Sequence, residues 1–293
     1  MKVLVTGANG FVGSWVLRGI LNAGMEAEGF DLSPPGPRVS RLLGAALAQV
    51  AWTQGDVSCP QDVERAASRC GVTVHLAGVL TPFCRLDPVR GAIVNLLGTL
   101  HVFEAARKYG QRVIYASSAA VHGGAKASSL EPTTHYGAFK LACEGSGRSY
   151  WLDHQVASLG LRPFVVYGPG RDTGATAGVS LACEAALQNR PYTIPFTGRA
   201  GMVWVGDVVD AIIVALQRPF EGAHVMDMVG DLRSVDDVIA EIRRHCPGAL
   251  LDAKGEPLPL DSDIPGSDGP PFMGTLPQTR LEHGILQTLN LLR

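Results

Sequence analysis

The 293-residue chain reads as an α/β protein on a doubly wound, mostly parallel sheet, and three observations predict it. Short apolar runs alternate with helix-length amphipathic stretches as far as residue 161, the pattern of right-handed strand–helix–strand crossovers. The first run meets its helix through Gly7, Gly10 and Gly13, spaced by three. The second run ends on an acid, Asp31.

In order, residues 3–5 form a buried first strand, 11–21 an amphipathic helix and 27–30 a second strand. The SPPGPR turn leads to a weak helix over 39–47, and a third strand follows at 50–52. Residues 61–69 are helical, 72–76 form a fourth strand, and 87–108 a long helix. A fifth strand at 112–116 ends on Ser117-Ser118; a second long helix covers 136–154 and a sixth strand 156–161. Further helices are expected at 176–187, 208–216 and 235–245. From Ala249 the tail is rich in Pro, Gly and Asp, including DSDIPGSDGPPF, and reads as an irregular wrap. This divides the chain into a main domain over 1–167, with help from about 200–218, and a small discontinuous lobe from 168–199 and 219–293.

A strand that feeds a helix through a tight glycine turn aims backbone N–H groups and the positive end of the helix dipole at an anion. Glycine is needed where a Cβ would block the turn, the anion or helix–strand packing. Asp31 lies about 20 residues beyond the glycines, where a carboxylate can take both hydroxyls of an adenosine ribose. Together these features make a dinucleotide site on a Rossmann fold.

Ligands on such a sheet bind beyond the carboxyl ends of the strands. That rule selects Asp56-Val57, Ala77-Gly78 and Ser117-Ser118 besides the glycine turn. Asp56 reads equally as an adenine contact or as a cap on the helix starting near Pro60. Tyr136 and Lys140, in YGAFK, stand at i and i+4 on one helix face. A free tyrosine titrates near pH ~10, and a neighbouring ammonium stabilises the phenolate and lowers that value. Tyr136 thereby becomes a candidate general base, with Lys140 on the nicotinamide ribose and Ser118 on the substrate oxygen.

Bulk properties exclude more than they identify. A formal net charge of −2 gives no basic surface for nucleic acid and no polybasic tract for a membrane. No apolar stretch approaches the ~20 residues of a membrane span, and the chain enters its first strand with no room for a signal peptide. Six scattered cysteines without CxxC pairs read as reduced thiols in a cytoplasmic protein with no metal site.

Over residues 1–215 the chain resembles the extended short-chain dehydrogenases/reductases, the NAD-dependent epimerase/dehydratase family. TGANGFVG (6–13), GDV (55–57), HLAG (75–78), NLLGT (95–99), YASSAAVHG (115–123), YGAFK (136–140) and RPFVVYGPG (162–170) follow in family order. The resemblance implies a catalytic triad of Ser118, Tyr136 and Lys140. It implies cofactor contacts from Gly7, Asn9, Gly10, Phe11, Val12, Gly13, Asp31, Asp56, Val57, Leu76, Ala77, Gly78, Asn95, Tyr136, Lys140 and Pro163. Asp31 favours NAD over NADP, since a carboxylate repels a 2′-phosphate; Arg38 is near enough in sequence to oppose that preference. The family also implies a homodimer through helices 87–108 and 136–154, with small and apolar residues such as Ala138, Leu141 and Ala142.

Departures from the family pattern bear on the substrate. Val165 replaces the asparagine usual in nucleotide-sugar members. Ala200 and Trp204, in AGMVWVGD, replace the arginine that clamps a diphosphate and the histidine four residues after it. Loss of a bidentate phosphate ligand argues against a diphosphate substrate, unless a one-residue slip lets Arg199 substitute. His122 replaces the tyrosine of VYG and reads equally as a substrate contact or a structural residue. Residues 170–176 read as a lid carrying Arg171, Asp172 and Thr173, or as a solvated loop; Arg162 reads as a structural ion-pair partner. The expectation is an NAD-dependent oxidoreductase that moves hydride to or from a hydroxyl or carbonyl of a small polar substrate such as a sugar or sugar acid. The alternatives are a nucleotide-sugar epimerase or dehydratase with transient oxidation by bound NAD, and a non-catalytic dinucleotide-binding protein.

Overall fold

The strand β1 (Lys2–Thr6) has its last four residues buried and lies near the middle of a seven-stranded sheet. The computed structural model describes residues 1–123, 130–258 and 269–293. The other strands of this sheet are β2 (Glu26–Asp31), β3 (Val50–Gln54), β4 (Val72–His75), β5 (Arg112–Ala116), β6 (Ser158–Pro163) and β10 (Ala223–Met228). Their spatial order is β3-β2-β1-β4-β5-β6-β10, and every adjacent pair is parallel. The order reverses direction between β1 and β4, which opens a crevice at their carboxyl ends.

Apolar clusters fill both faces of the sheet. Val3, Val5, Leu17 and Ile20 belong to one, which continues into the carboxyl-terminal part of the chain; Leu4, Phe30, Phe103 and Tyr115 belong to the other. That two-sided burial explains why the strands read as continuous apolar runs. Helix Phe11–Asn22 packs beside helix Val205–Gln217 on one face, while helices Pro60–Ala67 and Gly98–Tyr109 pack together on the other.

The remainder builds two small sheets. In one, β9 (Arg199–Trp204) lies between parallel β7 (Val165–Tyr167) and antiparallel β11 (Asp231–Ser234); in the other, β8 (Tyr192–Ile194) pairs with β12 (Leu251–Ala253). Helices Gly178–Leu187, Val235–His245 and Leu281–Leu292 pack beside them. Ser234 and Asp237 form a reciprocal capping box that starts the second of these at its expected first residue.

Three sequence expectations change. Ala223–Met228 closes the edge of the main sheet, so the lobe does not begin cleanly at 219. The tail is not irregular throughout, because β12 and the last helix are regular elements; residues 259–268, with most of DSDIPGSDGPPF, lie outside the described residues. The helix expected over 87–108 runs without interruption over 88–109, but it is not regular: a turn of i→i+5 bonding at Ile93–Leu97 lies between Pro88–Ala92 and Gly98–Tyr109. Among the described residues no helix is long and apolar enough to cross a membrane.

Candidate active site

The glycine turn owes its shape to close backbone approach. Gly7 adopts φ +68°, and a Cβ on Gly13 would stand 2.1 Å from the Gly7 carbonyl oxygen. Helix Phe11–Asn22 begins with no side-chain cap and no acid in its first turn, so its first N–H groups are open to an anion. Gly7, Gly10, Phe11, Val12 and Gly13 all line a cavity of about 470 Å³. The donor set and the uncapped helix end fit a dinucleotide diphosphate.

At the end of β2, Asp31 accepts hydrogen bonds from the backbone N–H groups of Asn9 (2.9 Å) and Leu32 (2.8 Å). Asn9 reaches away from the cavity: its amide donates to the Pro34 carbonyl (3.0 Å) and accepts from Gly36 N–H (2.8 Å), fixing the turn after β2. Arg38 uses each of its three guanidinium nitrogens. Its guanidinium donates to the carbonyls of Asn9 (2.7 Å) and Gly170 (2.7 Å) and to the Asp172 carboxylate (2.5 Å), tying the glycine turn to the loop after β7.

Thr134 caps helix His135–His154 by accepting from Gly137 N–H (3.0 Å), which sets Tyr136 in its first turn. Lys140, one turn on, is buried; its Nζ donates to the Ala116 carbonyl (2.6 Å) and lies 5.7 Å from the Tyr136 ring centroid. Ser118 follows β5, and its Oγ accepts from Ala120 N–H (3.1 Å), leaving the hydroxyl hydrogen free to donate. Ser118, Tyr136 and Lys140 line the same cavity as the glycines, together with Leu76, Gly78 and Pro163.

Other expected contacts lie behind this surface. Asn95 is fully buried, and its amide clasps Val79, accepting from the N–H (2.8 Å) and donating to the carbonyl (2.9 Å). It supports the chain after Gly78 instead of reaching the cavity, and the i→i+5 turn that contains it is of a kind that recurs at functional sites. Asp56 and Val57 do not line the cavity either. Asp56 accepts from Ser58 N–H (2.8 Å) and pairs with Arg90 (3.4 Å), and it caps no helix. Burial opposes its charge, but the Ser58 hydrogen bonds and the Arg90 cation outweigh burial and hold its carboxyl below the usual range. Ala77 donates its N–H to Thr6 Oγ1 (3.2 Å). The imidazole of His75 is enclosed between the hydroxyls of Thr6 (2.7 Å) and Thr99 (3.0 Å), and burial drives its pKa down to about 3.

A buried ionic network underlies the end of β5. Arg162 grips Glu144 with two hydrogen bonds (2.7 and 2.6 Å), and Ser117 donates to the same carboxylate (2.5 Å). Arg162 also faces Asp227 (3.4 Å), whose other oxygen lies 2.7 Å from His122 Nε2. Both Arg162 and His122 are therefore structural. The Arg162 reading is supported, and the substrate contact for His122 is not, since His122 does not line the cavity.

A profile of the NAD dependent epimerase/dehydratase family matches residues 3–229. The chain belongs to that family. As a member of the epimerase/dehydratase family it is an enzyme that works with NAD, and a merely non-catalytic dinucleotide-binding protein is set aside. A UDP-glucose 4-epimerase of Mycolicibacterium smegmatis is 31% identical over 297 residues, spanning 97% of this chain and 90% of that one. A D-erythronate dehydrogenase of Cupriavidus necator is 30% identical over 283 residues, 86% of this chain and 84% of that one. The UDP-glucose 4-epimerase of Thermus thermophilus, solved in complex with NAD, superimposes with a TM-score of 0.83 at 27% identity over 100% of this chain and 99% of that one.

Within the epimerase/dehydratase family frame, the positions of the diphosphate clamp point elsewhere. Ala200 and Trp204 are buried, and Trp204 packs edge-on against Trp15 with centroids 5.7 Å apart. Arg199 is exposed and is not among the residues that line the cavity. The apolar segment VLTPF after HLAG, which its composition predicts to be a pocket wall, lines it through Val79, Leu80, Thr81 and Pro82, and Leu258 from the tail, not singled out from the sequence, lines it too. Nothing local marked Leu258.

Proposed function

We propose that the protein is an NAD-dependent oxidoreductase acting on a hydroxyl or carbonyl of a small polar compound such as a sugar or sugar acid. One observation carries this reading. Ser118, Tyr136 and Lys140 share a cavity with the glycine cradle, while the places of the diphosphate clamp are taken by a buried alanine and a core tryptophan. The chemistry supplied by the cofactor when bound is acceptance of hydride from the carbinol carbon. Tyr136 takes the hydroxyl proton, Ser118 donates to the same oxygen, and Lys140 places a cation beside the tyrosine ring. Asp31 and the first turn of helix Phe11–Asn22 hold the dinucleotide at its other end.

A second reading, a nucleotide-sugar epimerase, has its own support in the 31% identity to a UDP-glucose 4-epimerase across 97% of the chain. The two separate in one assay. Absorbance is followed at about 340 nm, where NADH absorbs, with NAD and a panel of polyols, sugars and sugar acids, beside Tyr136→Phe. NADH formation that falls by about 10²- to 10⁴-fold in Tyr136→Phe supports the dehydrogenase. Conversion of UDP-glucose to UDP-galactose without net NADH, again lost in the variant, replaces it with the epimerase.

A homodimer in the cytoplasm completes the proposal. Ala138, Ala142 and Gly145 on helix His135–His154 are exposed, Gly145 with open space where a Cβ would stand, and Leu97 is exposed on the neighbouring helical stretch. Such a face suits pairing across a two-fold axis. Six free cysteines suit a reducing compartment. Light scattering that gives one chain mass at micromolar concentration would overturn the dimer.

A further inference from the structure

The cavity is rich in positive charge. Among the described residues, its lining includes Arg38, Lys140 and Arg171 and no Asp or Glu. Two of these cations have settled roles: Lys140 is held at the Ala116 carbonyl beside Tyr136, and Arg38 bridges Asn9, Gly170 and Asp172. Arg171 does not. Its Nη1 donates to the Val166 carbonyl (2.6 Å) and its Nη2 to Thr176 Oγ1 (2.6 Å), both neutral acceptors. Its Nε is buried with no hydrogen-bond partner, and the guanidinium lies 5.8 Å from the Phe11 ring centroid. Burial lowers its pKa to about 10, opposed by the nearby Tyr136, so it stays cationic at neutral pH.

A half-buried cation with an enclosed, idle donor is costly until an anion meets it. We propose that Arg171 receives the carboxylate of the substrate, so that the hydroxyl delivered to Tyr136 belongs to a hydroxy acid. This rests on the dehydrogenase reading above and narrows it. The N–H groups of the fork not used on Val166 and Thr176 remain for two carboxylate oxygens, in a cavity whose lining includes apolar residues such as Val79 and Phe164. The cofactor diphosphate has its own donors in the uncapped helix turn. Arg171 lines the same cavity as Ser118 and Tyr136, where the reacting hydroxyl would lie. The carboxylate is a handle that the reaction leaves unchanged: the carbinol loses hydride to NAD and a proton to Tyr136, a balanced two-electron oxidation.

The test is binding to the NADH-saturated protein, measured by calorimetry. D-gluconate, D-galactonate and D-threonate are each compared with the matching polyol, D-glucitol, galactitol or D-threitol. At least one acid should bind the wild type roughly 10- to 100-fold more tightly than its polyol. Arg171→Met should erase that difference, Arg171→Lys should keep part of it, and NADH affinity should stay within about threefold in both. Near-UV circular dichroism checks the fold; if Arg171→Met does not fold, the lysine variant and the wild-type comparison still decide. The proposal is overturned if no acid outbinds its polyol, or if Arg171→Met keeps the preference. It is equally overturned if the variant loses NADH affinity and nothing else, which would assign Arg171 to the cofactor diphosphate. An enzyme that oxidises a polyol yet ignores acids defeats this proposal alone. One that only isomerises UDP-glucose defeats the dehydrogenase reading as well.

Discussion

Replacing Glu144 by alanine should be among the most damaging single changes outside the cavity. Its carboxylate is 4% exposed and accepts three hydrogen bonds, two from Arg162 and one from Ser117. The side chain of Arg162 is itself only 8% exposed, so water does not replace the lost partner. Breaking one side of a buried ion pair costs about 3–5 kcal/mol. For a domain of this size that corresponds to a fall in melting temperature of roughly 6–10 °C. Pairing Glu144→Leu with Arg162→Met removes both charges and keeps an apolar fill, and should recover most of the loss. Urea and thermal unfolding of Glu144→Leu, Arg162→Met and the double variant measure the coupling directly. A Glu144→Ala loss under about 1 kcal/mol, or a double variant no better than the singles, would refute the argument that these groups stabilise one another.

The buried His75 sets a pH dependence. Its folded pKa, about 3, lies below the ordinary histidine value, so the unfolded chain takes up a proton as pH falls through about 6.5 while the folded chain does not. Stability is therefore complete above that value and lost on acidification; from pH 7 to pH 5 the loss from this group is about 2 kcal/mol. Unfolding free energies at the two pH values should show that slope in the wild type, and a shallower one in His75→Gln. Gly13→Ala drives a Cβ against the Gly7 carbonyl, 2.1 Å away before relaxation. Strain of about 1–3 kcal/mol in the turn should weaken NADH binding roughly 10- to 100-fold in a fluorescence titration. Unchanged affinity would mean that the turn relaxes freely.

What could be read from the residues was local. The glycine turn, the Asp31 strand end and the Tyr136–Lys140 pair each lie within one strand–turn–helix unit, where spacing alone fixes geometry. The strand Ala223–Met228 was hidden because it is short and pairs with β6, some sixty residues earlier in the chain. Leu281, Ile285 and Leu289 carry a helical period that could have revealed the last helix, but the Pro- and Gly-rich approach to it suggested otherwise. Asn95 shows a different limit. Its motif pointed to the cofactor, yet the i→i+5 turn rotates its amide onto Val79, and no sequence rule announces such a turn. The roles of Arg38 and Arg171 depend on a loop more than a hundred residues from Arg38, and only the fold brings them together.

The bridge made by Arg38 makes coenzyme preference and access to the reacting end parts of one mechanical unit. The side chain best placed in sequence to welcome a 2′-phosphate is the one that latches the 170–172 loop. Recruiting it to that phosphate would release Gly170 and Asp172, leaving Trp15 on the Pro169 carbonyl (3.0 Å) to hold the start of the loop. An Asp31 variant selected to accept NADP should therefore show its penalty in turnover of the second substrate as much as in coenzyme affinity.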